Sequence, residues 1–184
     1  MRSLGVAIAG GHGTEDGSRL LSTPSEATIA LLDVEHRYMP MNIWEPASGA
    51  RAIADVLERS GRQVGTSDIC DYGTGAQILD FTTIPDGYFV GGIVTNPPFP
   101  SAEKFIRRAT TLCDYVAMLL KQTYYNAGKR TQFFHEHKPT MLYPMAFRLD
   151  FTGGGAPTMD CMWVVWDKAR GPTARFQPLA RPCS

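Results

Sequence analysis

No hydrophobic stretch of the 184-residue chain is long enough for a secretion signal or a membrane span, so a cytoplasmic setting is expected. Its four cysteines, Cys70, Cys113, Cys161 and Cys183, stand far apart with no pair at metal-ligand spacing, which argues against a zinc module or a disulfide framework. His135-Glu136-His137 does not change this, because side chains two apart on a helix point to different faces and no third ligand is evident; no metal is expected. Net charge is absent as well. Lys+Arg and Asp+Glu both number 18, so no global positive field draws the chain to a polyanion. Any phosphate contact must come from local clusters, Lys104 with Arg107-Arg108 or Lys121 with Lys129-Arg130, and would be transient. There is no internal repeat and no long linker. With 43% hydrophobic and 20% charged residues, the chain reads as one globular domain over 21–184. Residues 1–20, with Gly10-Gly11-His12-Gly13 and a polar stretch to Ser18, read as a mobile arm.

What is present is concentrated in a few short segments. Gly92-Ile93-Val94-Thr95 is an apolar run suited to a buried strand, and Asn96-Pro97-Pro98-Phe99 follows it directly. An aromatic exocyclic amine is a poor nucleophile because its lone pair is delocalised. Fixed acceptors for its two protons, here the Asn96 side-chain carbonyl and the Pro97 backbone carbonyl, favour a tetrahedral nitrogen. Pro97 and Pro98 hold those acceptors rigidly, and Phe99 offers a face on which a base can stack. A proline-rich turn after an ordinary strand would look the same.

Upstream, Asn42-Ile43-Trp44-Glu45 reads as a strand running into the small-residue turn Pro46-Ala47-Ser48-Gly49-Ala50. A helix over Arg51–Arg59 follows, stopped by Gly61. Such a turn lets a ligand approach the backbone. The helix start offers amide hydrogens to a carboxylate, and Glu45 can meet a cationic amino group. Gln63 to Ser67 is the next strand, and Asp68 at its end stands about twenty residues past the glycine turn, the spacing of a ribose acceptor. Thr23-x-x-Glu26 is a capping box with Pro24 at the first helical position, opening a helix whose apolar face is Ala27, Ala30, Leu31 and Val34. Tyr115 to Leu120 is a further buried strand. The polar and aromatic segment Gln122 to Phe134 after it borders a substrate pocket or forms a solvated helix. Met141–Phe151 and Met159–Asp167 are two β-rich runs joined by a flexible Gly153–Pro157 connection, an antiparallel hairpin.

In order and type these segments resemble the S-adenosyl-L-methionine-dependent DNA N6-adenine methyltransferases, specifically the small phage and prophage type with Glu-Pro-Ala-x-Gly-Ala and Asn-Pro-Pro-Phe. The resemblance implies an α/β fold, a Rossmann-like class I methyltransferase sheet. That sheet is mostly parallel, with helices on both faces and a C-terminal antiparallel hairpin. It implies S-adenosyl-L-methionine as cofactor. Glu45, Pro46, Ala47, Ser48 and Gly49 would seat its methionine end, and Thr23-Pro24 would close over that end. Asp68 would take the ribose, and Asp80-Phe81 would flank the adenine ring. Asn96, Pro97, Pro98 and Phe99 would be catalytic, and Arg148 would face the target base or its phosphate, unless it is a surface arginine. DNA is the implied partner, with short or relaxed specificity because no segment is left for a target-recognition domain unless a protein partner supplies one. Arg51 replaces the second glycine of the usual turn and would crowd the cofactor. Two other readings use the same residues: a methyltransferase acting on RNA adenine or a protein glutamine amide, and a non-catalytic binding module.

Overall fold

The computed structural model describes residues 22–88, 91–155, 157 and 159–183. The expected N-terminal arm, residues 1–20, lies outside them. Eight strands form a single sheet: β1 Asn42–Glu45, β2 Gln63–Asp68, β3 Gln77–Ile78, β4 Gly92–Thr95, β5 Tyr115–Lys121, β6 Met141–Pro144, β7 Cys161–Asp167 and β8 Arg175–Phe176. Their spatial order is β3-β2-β1-β4-β5-β7-β6-β8. The first five are mutually parallel, β7 is antiparallel to both β5 and β6, and β8 runs parallel to β6 on the outer edge. The expected mostly parallel sheet with an antiparallel closing pair is present. β8 is an addition, because a two-residue exposed edge strand leaves no alternating pattern to read.

Central position explains the apolar runs. Every residue of β4, and all of β5 up to Leu120, is buried, as strands covered on both faces must be. Tyr115, Ala117 and Leu119 of β5 and Cys161, Trp163 and Val165 of β7 pack on one face with helices α1 (Ser25–Glu35) and α2 (Ala52–Arg59). Val116, Met118 and Leu120, with Met162, Val164 and Trp166, pack on the other with α3 (Ala102–Leu112) and α4 (Thr131–Glu136). Gly92 opens β4 because a Cβ there would stand 3.0 Å from the Tyr115 ring and 3.1 Å from both Ile43 and Pro40.

Three local expectations are revised. Helix α1 starts at Ser25 with Pro24 as its cap, and no side chain caps it; the Thr23 hydroxyl is used elsewhere, so the capping box does not form. β6 ends at Pro144, which has no N–H for the ladder, and beyond it the longer run continues only as the isolated bridges Met145–Leu179 and Leu149–Met159. The glycine connection is organised rather than loose. One oxygen of Asp150 accepts from Thr152 and the Gly153 amide, and the other accepts from the Gly155 amide.

Candidate active site

Strand order reverses direction between β1 and β4, and in sheets of this kind the crevice at the carboxyl ends on either side of that point is where ligands are bound. Trp44 pairs with Ile93, so the turn after Glu45 and the segment beginning at Asn96 leave the sheet side by side. Nearly all the residues singled out in the sequence come from this edge.

The turn after β1 is built by hydrogen bonds back to the ends of β1 and β2. Glu45 is buried, and its Oε2 accepts from the Ala54 amide at 2.8 Å in the first turn of α2. Burial holds its carboxyl well above the usual carboxylate range, against the smaller opposing pull of that amide and of Arg51. The Ser48 amide donates to the Ser67 carbonyl at 3.0 Å, and the Gly49 amide donates to Asp68 Oδ2 at 2.9 Å, while Asp68 Oδ1 receives the Cys70 amide. Asp68 therefore ties the turn to β2, and each of its oxygens retains a lone pair for a further donor. Gly49 has φ +46° and Arg51 φ +63°, so Arg51 occupies a left-handed position that favours glycine. Its guanidinium donates to Thr66 Oγ1 at 3.0 Å and to Glu58 at 2.7 Å, with Asp55 at 3.4 Å. Thr66 lies opposite Glu45 at the end of β1 and Glu58 almost two turns along α2, so the guanidinium is held by partners on β2 and α2.

At the end of β4, Asn96 Nδ2 donates to Thr23 Oγ1 at 3.1 Å. Asn96 Oδ1 is buried without a protein partner, as are Ser48 Oγ and Thr95 Oγ1 on the same edge. Buried polar atoms are ordinarily paired, and these three are among seven described side-chain atoms that are not, the others being on Thr28, Arg62, Arg108 and Tyr124. Pro97 is buried and Pro98 half-buried, and Phe99 begins the 3-10 turn Phe99–Ser101. The Lys121 ammonium, at the end of neighbouring β5, stands 4.5 Å from the centre of the Phe99 ring.

The pair Asp80-Phe81 lies on the β3 side. Asp80 Oδ1 accepts from both the amide and the hydroxyl of Thr82, and the Phe81 ring is packed into the core against Trp44 (centroids 5.2 Å) and Phe105 (4.9 Å). Sequence reasoning passed over Ile69, an apolar side chain directly after Asp68 that is 64% exposed. It also passed over the Thr23–Asn96 and Lys121–Phe99 contacts, for which residues so far apart in the chain carry no local signal.

Other candidates prove to be partnered. Arg148 is an exposed arginine paired with Asp160 at 2.9 Å. Arg107 is held by Glu103 and Glu136, and Arg108 by Asp86 and the Ile84 carbonyl, so this basic cluster is neutralised locally. Burial pushes the Cys113 thiol up to about 11, away from nucleophilic use. Among the described residues no group of three or more His, Cys, Asp or Glu could hold a metal, and no helix is long and apolar enough to cross a membrane. Two open clefts of 480 and 490 Å³, one lined by Cys113, His137 and Trp166 and the other by Tyr38, Arg170 and Arg175, lie at the amino ends of the parallel strands and include neither the turn after β1 nor Asp68, Asp80-Phe81 or Asn96 to Phe99.

The sequence matches no family model and no curated protein. The architecture, by contrast, is shared with solved structures. A candidate RNA methyltransferase from Pyrococcus horikoshii superposes with a TM-score of 0.60 at 14% identity, over 79% of this chain and 85% of that one. The fold is that of class I methyltransferases. A type I restriction-modification methyltransferase subunit from Streptococcus thermophilus gives 0.58 at 11% identity, over 84% of this chain and 45% of its own. The magnesium protoporphyrin IX methyltransferase of Synechocystis PCC 6803, solved with bound S-adenosylmethionine, gives 0.50 at 13%, over 78% of each chain. At these identities the likeness establishes the methyltransferase fold and leaves the acceptor to the chemistry of the site.

Proposed function

We propose that this chain transfers a methyl group from S-adenosyl-L-methionine to the N6 amino group of adenine in DNA. In this reading a single catalytic domain over residues 21–184 acts in the cytoplasm with short or relaxed sequence specificity. The observation that carries it is the buried, unpartnered Oδ1 of Asn96, whose amide is anchored at its nitrogen end. With the Pro97 carbonyl it supplies two fixed acceptors for the two protons of a planar amine, drawing the lone pair out of the ring. The adenine would be taken from a single strand or rotated out of a duplex and would stack on Phe99.

The cofactor fits the groups at the turn. S-adenosyl-L-methionine brings an electrophilic methyl group on a sulfonium. Glu45 is placed to meet the ammonium of its methionine end, the orphaned Ser48 Oγ is free for a polar group there, and Asp68 retains lone pairs for a ribose hydroxyl. Arg51 is committed to Thr66 and Glu58 rather than to the Glu45 carboxyl, which weighs against a non-catalytic module.

Nucleic acid is favoured over a protein amide by Lys121, a cation set against the face of Phe99, where it would meet a phosphate flanking the stacked base. That cation serves RNA as well as DNA, and the methyltransferase neighbours carry names of both kinds. DNA is preferred because the order of motifs follows the DNA enzymes. The test is transfer of tritiated methyl to adenine-containing DNA, single- and double-stranded, with RNA and a protein extract in parallel and Asn96→Ala as blank. N6-methyladenine in DNA, absent with the variant, is expected; label in RNA or protein instead moves the acceptor, and label nowhere removes the activity.

A further inference from the structure

A primary amide has two ends of nearly equal size and opposite character, so an asparagine that must offer an acceptor to an amine has to be kept from turning over. With Nδ2 in the place of Oδ1, Asn96 would present N–H donors to the N–H groups of its substrate. Packing alone cannot distinguish the two orientations; a hydrogen bond at one end, together with what the other end faces, can.

From the 3.1 Å contact between Asn96 Nδ2 and Thr23 Oγ1, we infer that Thr23 is a positioning residue that orients the catalytic amide, an inference that rests on the function proposed above. Thr23 is 7% exposed, and three features of the fold hold it in place. Pro24 follows it with φ −57° and begins the approach to α1, whose first backbone hydrogen bond runs from the Ala27 amide to the Pro24 carbonyl. The Trp163 indole on β7 then donates to the Ala27 carbonyl at 2.7 Å, pinning the first turn of α1 to the sheet. Helix α1 has no side-chain cap, so the hydroxyl that a capping box would occupy is available to Asn96. A hydroxyl can serve either end of an amide. Turning this one over would bury two N–H groups with no acceptor, where the observed sense leaves one carbonyl oxygen waiting for the amine.

Thr23→Val keeps the shape and removes the hydroxyl. With S-adenosyl-L-methionine saturating, so that any change in its Kd from the loss of Thr23 is set aside, it is expected to lower kcat about 10- to 100-fold, as loss of one oriented hydrogen bond at a reacting group does. Thr23→Ser, which restores the oxygen, should recover most of kcat. A structural role alone would lower Tm without this loss of kcat or this rescue, and a role in cofactor binding alone would raise Kd with kcat intact at saturation; either result overturns the inference, as does an unchanged kcat. A second readout does not depend on activity. In a ¹⁵N spectrum of the full chain, the Asn96 side-chain NH2 pair, assigned by its loss in Asn96→Ala, should exchange slowly with solvent in the native protein and rapidly in Thr23→Val. Equal exchange in both refutes the lock. Protection lost on substitution in a protein that methylates no adenine supports the lock and rejects the proposed function.

Discussion

Glu35 and Glu45 are two equally buried carboxyl groups at opposite ends of the same sheet, 0% and 2% exposed, and their surroundings differ completely. At the amino ends, Glu35 receives the Tyr143 hydroxyl at 2.6 Å, the Tyr115 hydroxyl at 3.1 Å and both terminal nitrogens of Arg170 at 2.8 and 2.6 Å, and Arg170 is shared with Asp167. Every strong donor is matched, and the network joins α1 to β5, β6 and the end of β7. At the carboxyl ends, Glu45 has one recorded hydrogen bond, from an amide, and beyond it on this edge lie the orphaned oxygens of Ser48, Thr95 and Asn96. A saturated buried carboxylate has nothing left to offer a ligand and serves the fold. An unsaturated one has lone pairs left for a further donor, as the function proposed above requires of Glu45.

Breaking the saturated end should have the largest effect on stability. Glu35→Ala leaves Arg170 without its buried partner and two tyrosine hydroxyls without an acceptor, and should cost about 3–5 kcal/mol in chemical denaturation. Breaking the unsaturated end should spare the fold and remove the chemistry: Asn96→Ala should reduce methyl transfer about 10²–10³-fold while cofactor Kd moves only a few-fold. Glu45→Gln sharpens the comparison through pH. Because burial raises the Glu45 carboxyl in the folded state, the stability tied to its protonated form is fully present below its unfolded value of about 4.3 and is lost as pH rises through the folded value. Denaturation of the cofactor-free protein across that range should show this decline, the glutamine variant should lack it, and its cofactor affinity should fall about tenfold through loss of a charge-assisted contact. The smallest effect belongs to the rim. Lys121→Gln should flatten the slope of log affinity for duplex DNA against log salt by about 0.9, one phosphate contact; an unchanged slope would take Lys121 off the nucleic-acid path.

Much of the carboxyl edge could be read from residues close together in the chain. Glu45 to Gly49 and Asn96 to Phe99 are local motifs whose composition states a backbone need, small residues for a close approach and prolines for rigidity, and both emerge where a strand ends. Spacing also placed Asp68 at the end of β2, although not its use as the tie for the Gly49 amide. Arg51 in the place of the second glycine suggests crowding, and what the pattern does not name is where its side chain goes, to Thr66 and Glu58. The first turn of α1 misled for a related reason: Thr23-x-x-Glu26 satisfies a local rule, and a residue 73 positions away takes the hydroxyl instead.

The sequence by itself determined the central strands, the turns after β1 and β4 and the alternation of α and β, because hydrophobic period, proline and glycine act over a few residues; the short edge strands β3 and β8 carry no such signal. Only the tertiary structure decided which polar atoms are completed and which are left open. Pairing Glu35 with Arg170 or Asn96 with Thr23 requires elements 135 and 73 residues apart to meet, and a hydrogen bond exists only once both of its ends have been carried to the same place.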